Sequence, residues 1–144
     1  MRRNGFTLVE LMVVIAVMAL MAGAVAVTAG GTGSGPAAAA SRFASRLAAA
    51  RDEAIVSGRP VSAWVAPSGY GFDRYQGSTW QAMSAKPFQG DNWQSGTVVA
   101  LAGARARLRF DSLGLPDRPT SFAIARDGRT ARVSVAANGD VTVE

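Results

Sequence analysis

The chain predicts an α+β protein, with a long N-terminal transmembrane and amphipathic helix followed by an antiparallel β-sheet domain of two sheets. Three patterns predict it. Residues 6–29 form a mainly apolar run holding one charged side chain, Glu10. Between Pro36 and Gly58, apolar residues recur at the three-and-four spacing of a helix with one buried face. Beyond Pro60 the apolar period drops to two and turn residues multiply, which marks strands and hairpins.

The first element is the apolar run. At about 1.5 Å per residue, 24 helical residues extend roughly 36 Å, enough to cross a bilayer. A carboxylate within such a span costs about 2.5–3.5 kcal/mol even on lenient insertion scales, so Glu10 needs a partner and is a candidate functional residue. Arg2 and Arg3 precede the run, and no charge follows it until Arg42. Basic flanks stay cytoplasmic, so the remainder is expected on the other side of the membrane. An ordinary secretory signal peptide would explain the two arginines, the apolar stretch and a small-residue site such as Ala22-Gly23-Ala24. Neither that reading nor a plain signal anchor gives a reason for the glutamate.

The order Met1-Arg2-Arg3-Asn4-Gly5-Phe6-Thr7-Leu8-Val9-Glu10 resembles the class III signal of type IV pilins. The resemblance implies cleavage by a prepilin peptidase between Gly5 and Phe6, with methylation of the new terminal amine on Phe6. Glu10 then becomes the fifth mature residue, which in that family faces the free amine of a neighbouring subunit. An ammonium and a carboxylate, each costly alone in hydrocarbon, offset one another when brought together.

The organisation expected is a leader peptide at 1–5, a transmembrane helix at 6–29, a Gly-rich hinge at 30–36, and a periplasmic helix plus β domain at 37–144. Glycine costs about 1 kcal/mol per helical position relative to alanine, so Gly30-Gly31-Thr32-Gly33-Ser34-Gly35 should weaken or break the helix. Pro36 suits the first position of a second helix, and Gly58 followed by Pro60 should end it. Phe43, Leu47, Ala50 and Ala54 form its apolar stripe, with Arg42, Arg46 and Glu53 on another flank. The stretch from Arg42 to Val61 resembles the helix and first strand of the H-type minor pseudopilins of type II secretion and their FimT-like pilin relatives. That resemblance implies a pilin-like antiparallel β domain after the helix.

The strands follow in order. Val61, Ala63 and Val65 alternate with Ser62, Trp64 and Ala66, and Pro67-Ser68-Gly69 turns the chain into a partner at Tyr70 to Tyr75. Residues 76–97 read as a long surface excursion with one short strand around Thr79 to Met83. Its Trp80, Phe88 and Trp93 are expected to fold back over the core edge, since exposed indoles without a partner are uncommon. From Ala104 to Phe110, Arg105, Arg107 and Arg109 share one face of a strand, and Ala106, Leu108 and Phe110 the other. Phe110-Asp111-Ser112-Leu113-Gly114-Leu115-Pro116 resembles a strand-then-glycine-turn signature late in the same pseudopilin family. The C-terminal third reads as a β meander. Asp127-Gly128 sets Ile124 opposite Ala131 and Phe122 opposite Val133, and a three-residue loop with Gly139 left-handed sets Val135 opposite Val141.

Composition narrows the function. The chain has no cysteine and no histidine, which removes disulfides, thiol chemistry, the commonest general base and the commonest metal ligand. Ser84-Ala85-Lys86 holds the only lysine beside a serine, too slight a pattern for a nucleophile and its base. Asp73, Asp91 and Asn92 lack the spacing of a calcium loop, and the glycines at 30–35 lack the lysine of a phosphate loop. No catalytic, cofactor or metal site is therefore expected, and no small-molecule substrate. Taking Arg2 and Arg3 off the formal charge of +5 leaves +3, a weak field spread over separate arginines. Arg105, Arg107 and Arg109 are expected on the solvated face of their strand, without the interleaved aromatics of a single-strand binder.

By resemblance, the chain is expected to be a minor pseudopilin of the inner membrane, a structural subunit of the periplasmic pseudopilus that drives protein export across the outer membrane. Its partners would be the prepilin peptidase, other major and minor pseudopilins, the inner-membrane assembly platform and membrane lipid. The alternative shares the fold: a FimT-like minor pilin acting in pilus assembly or DNA uptake. DNA-binding relatives carry a basic Gly-Arg motif near the C-terminus. This chain has Gly128-Arg129-Thr130-Ala131-Arg132 but then Asn138-Gly139-Asp140, so DNA is not the expected partner.

Overall fold

The computed structural model describes residues 9–15, 17 and 35–144. Leader residues 1–5, Phe6, most of the expected span and positions 30–34 of the expected hinge lie outside the described residues. Contacts divide the chain into two units, residues 1–34 and 35–144. In the first unit residues 9–15 are helical, and Val9, Leu11, Met12, Val13, Val14 and Ile15 are exposed. Among the described residues no helix is long and apolar enough to cross a membrane.

The second unit begins with helix α1 (Pro36–Ser57). Pro36 occupies the first turn, where its missing N–H leaves no bond unmade, and Gly58 closes the helix in the left-handed conformation at φ 61°. The predicted stripe is the buried one: Phe43, Leu47, Ala50 and Ala54 are each fully inaccessible, and Ala40 and Ala44 extend it.

Nine strands follow, all antiparallel. The first sheet runs β3 (Thr79–Ala82), β2 (Gly69–Gln76), β1 (Val61–Ala66), β6 (Ala106–Phe110), with β4 (Asp91–Asn92) also paired to β2. The second runs β5 (Val98–Ala100), β7 (Thr120–Arg126), β8 (Arg129–Val135), β9 (Val141–Val143). Helix α1 touches β1 and β6 of one sheet and β7, β8 and β9 of the other, so one apolar core is shared by all three layers. Phe43 sits at that junction, its ring 4.7 Å from Tyr70 of the first sheet and 5.6 Å from Phe122 of the second.

The expected registers are present: Ile124 opposes Ala131, Phe122 opposes Val133 and Val135 opposes Val141; the last of these also sets Val133 opposite Val143. Gly139 takes φ 85°, and Ala136 and Asp140 close the three-residue loop with a backbone bond of 2.9 Å. Two features differ from the sequence reading. Val98–Ala100 adds a fourth strand to the meander by pairing with β7, and Asp91–Asn92 gives the 76–97 excursion a second short strand. Both strands are too short to show a period of two. The excursion also enters the core. Phe88 is buried against Phe72, and Trp93 lies 4.8 Å from Tyr70 while its indole N–H donates to the Ala66 carbonyl at 2.9 Å.

Candidate functional site

Two places collect chemistry. The first is Glu10, carried by the helical residues 9–15 among exposed apolar side chains. Gly5 and Phe6, the expected processing residues, lie outside the described residues.

The second is the outer face of the first sheet. Strand pairing brings Ser62 opposite both Asp73 and Arg109, and Trp64 opposite both Gly71 and Arg107. Ser62 is fully buried and Asp73 nearly so, which for polar groups requires partners. Arg107 supplies them, pairing with the Asp73 carboxylate at 3.1 Å and donating toward Ser62 Oγ at 3.4 Å. Above this polar centre Trp80 faces Arg107 and Arg109, at 5.9 and 5.7 Å from guanidinium carbon to ring centroid. Tyr75, directly across from Trp80 on β2, meets it at 5.3 Å.

Trp64 is held differently. A Cβ on Gly71 would lie 2.5 Å from Trp64 Cζ2, so the indole rests directly on β2 backbone where only glycine leaves room. Its other face carries Arg105 at 4.1 Å. The three arginines thus share one face as expected, but the expectation of a face without aromatics is corrected. Neighbouring strands deliver Trp64 and Trp80, a proximity invisible along β6 itself. The signal that could have found it was Gly71 placed opposite Trp64 once the Pro67-Ser68 turn fixed the hairpin register.

The other sequence candidates are dispersed. Asp91 pairs with Arg46 at 3.4 Å, Asp140 with Arg51 at 3.2 Å, and Glu53 with Arg74. Ser84 and Lys86 sit exposed in the excursion, and Gly128 and Arg129 are exposed where the β7–β8 turn leads into β8. Among the described residues no group of three acidic side chains could hold a metal ion. Burial pushes the Tyr70 phenol above its ordinary value; Arg46 pulls it back, Asp91 adds to the rise, and Arg42 opposes it. Tyr70 serves the aromatic cluster around Phe43 and Trp93.

Residues 39–139 match the family model of type II transport protein GspH, which takes in all but the first turn of α1 and nearly the whole β domain. The chain belongs to the GspH family. Ahead of this region, residues 1–26 match the prokaryotic N-terminal methylation motif. The GspH family consists of structural pseudopilins, and this GspH-family chain is a minor pseudopilin of type II secretion. Family and motif together mark a membrane-anchored periplasmic protein. The fold is similar to that of the minor pseudopilin EpsH of Vibrio cholerae, with a TM-score of 0.63 and 22% identity over 74% of this chain and 93% of that one. The Pseudomonas aeruginosa type IV minor pilin FimU aligns with a TM-score of 0.58 and 20% identity over 74% and 86% of the two chains. Escherichia coli GspH aligns with a TM-score of 0.55 and 17% identity over 73% and 84%. At these identities the likeness is one of fold. No match was found among curated protein sequences.

Proposed function

We propose that this pseudopilin is cut between Gly5 and Phe6 by a prepilin peptidase, methylated on Phe6, and built into a periplasmic filament through Glu10. The observation that carries the reading is Glu10 itself, the only charge in residues 6–29, within a methylation motif that precedes a GspH domain. In the filament Glu10 faces the terminal ammonium of an adjacent subunit, where each charge offsets the desolvation of the other. The exposed Val9, Leu11, Met12 and Ile15 then meet lipid in the monomer and neighbouring pseudopilin helices in the assembly. The inner-membrane assembly platform is the machinery that would extract the subunit from the bilayer. The β domain is carried on this anchor, without a catalytic role.

Two measurements test this. Mass spectrometry of the protein from cells holding the peptidase should show an N-terminus at methylated Phe6; an N-terminus after Ala24 or Ala26 refutes the processing. Glu10→Val should insert as well as the parent and accumulate normally, yet abolish secretion, because the neighbour's ammonium loses its counter-charge. Glu10→Gln should be nearly as damaging, since an amide keeps shape but not charge. Normal secretion with both variants would make Glu10 incidental. A pilus defect with intact secretion would instead favour the minor-pilin role shared by the FimU fold.

A further inference from the structure

The outer face of the first sheet ends in two adjoining clefts that the filament role leaves unused. One, of about 400 Å³, is walled mainly by Pro60, Tyr75, Trp80, Leu115 and Pro116. The other, of about 480 Å³, is lined by Arg105, Arg107, Arg109 and Arg118. Arg109 and Asp117 belong to both, so the clefts are continuous at that edge. We propose that this surface docks an acidic segment of a partner protein, seating an apolar side chain in the cleft that the Tyr75–Trp80 pair forms with Pro60, Leu115 and Pro116, and its carboxylates on Arg105, Arg109 and Arg118.

The charge balance supports that occupant. Arg107 is neutralised by Asp73, but among the described residues no carboxylate lies within 4 Å of the Arg105, Arg109 or Arg118 guanidinium. Stacking on an indole occupies the flat face of Arg105 and leaves its N–H edge free to fork onto a carboxylate. The acids at the rim are engaged by their own turns. Asp111 accepts from the Leu113 and Leu115 backbone N–H groups, each at 2.9 Å, and Asp117 accepts from the Arg109 N–H at 3.2 Å. The apolar cleft is bounded by two prolines and three aromatic residues, the lining that receives an extended segment with a proline or aliphatic anchor.

A nucleic acid suits the same arginines less well. Base stacking needs a free aromatic face, and Trp64 has one face on the Gly71 backbone and the other under Arg105. Trp80 is likewise taken by Tyr75, Arg107 and Arg109.

The test uses the full chain in neutral detergent micelles and a fluorescein-labelled, end-blocked peptide Glu-Glu-Leu-Pro-Glu-Glu, followed by anisotropy. Saturable, salt-sensitive binding is expected, weakened by about tenfold for Glu-Glu-Gly-Gly-Glu-Glu and by at least as much for Arg105→Ala with Arg118→Ala. Both arginines are exposed, and unchanged circular dichroism will show the double variant folded. The peptide Lys-Lys-Leu-Pro-Lys-Lys should not bind. No saturation in the millimolar range, equal binding without the Leu-Pro anchor, or indifference to the arginine substitutions would each overturn the proposal. So would tighter binding of a single-stranded dodecanucleotide than of the acidic peptide.

Discussion

Gly71→Ala should destabilise the protein, although alanine usually improves a strand. Gly71 has no left-handed backbone conformation, so alanine meets no φ/ψ penalty there. Through the unfolded state alone the substitution would stabilise by about 0.4–1 kcal/mol. Against this stands the indole. The three atoms nearest to the added methyl all belong to Trp64, at 2.5, 2.7 and 3.0 Å, and a ring held between strand and arginine has no free direction in the sheet plane. Forcing it outward costs about 1–3 kcal/mol as overpacking, and lifts Arg105 from its stack at a further cost of about 0.5–1 kcal/mol. The net expectation is a loss of about 1–3 kcal/mol in urea unfolding of the detergent-solubilised chain, followed by circular dichroism. In a Trp64→Ala background the obstruction is gone, and Gly71→Ala should stabilise by about 0.4–1 kcal/mol, a coupling of roughly 1.5–4 kcal/mol in the cycle. If Gly71→Ala stabilises the parent chain, or the coupling is below about 0.5 kcal/mol, the packing of Trp64 on the β2 backbone is refuted.

Phe43→Ala removes the ring where helix and both sheets meet, and should cost about 3–5 kcal/mol, read as a large drop in the urea midpoint. Asp111→Ala frees two backbone N–H groups of the turn after β6 and should cost about 1–2 kcal/mol, with faster amide hydrogen exchange at Leu113 and Leu115. Tyr70 gives a pH dependence of definite sign. Its folded value is raised above the unfolded value of about 10, so the folded state holds the proton more tightly. The associated stability is fully present below about pH 10 and is lost as pH rises through the folded value, and Tyr70→Phe should flatten that alkaline decline in unfolding titrations.

Local patterns made much of this protein legible. Helix α1 was bounded by Pro36 and Gly58, whose backbone constraints act without reference to distant chain. The hairpin registers at Asp127-Gly128 and Gly139 followed from turn length and the requirement that apolar residues share a face. Glu10 and the processing motif are likewise local, because a carboxylate in an apolar run is conspicuous wherever the chain folds.

Tertiary structure decided what depends on neighbours brought from elsewhere. Val98–Ala100 became a strand only because β7 offered an open edge, and three residues carry too little periodicity to announce it. Phe88 and Trp93 fold over the core as expected, but only the fold shows against what: Phe88 packs on Phe72, while Trp93 covers the Phe43–Tyr70 pair and donates its N–H to the Ala66 carbonyl. The arginine face gained Trp64 and Trp80 from adjacent strands, and Arg107 gained Asp73. Along β6 these arginines are one alternating stripe; across the sheet, pairing at strand spacing divides them into a neutralised centre and an unpaired rim, a distinction that no linear pattern holds.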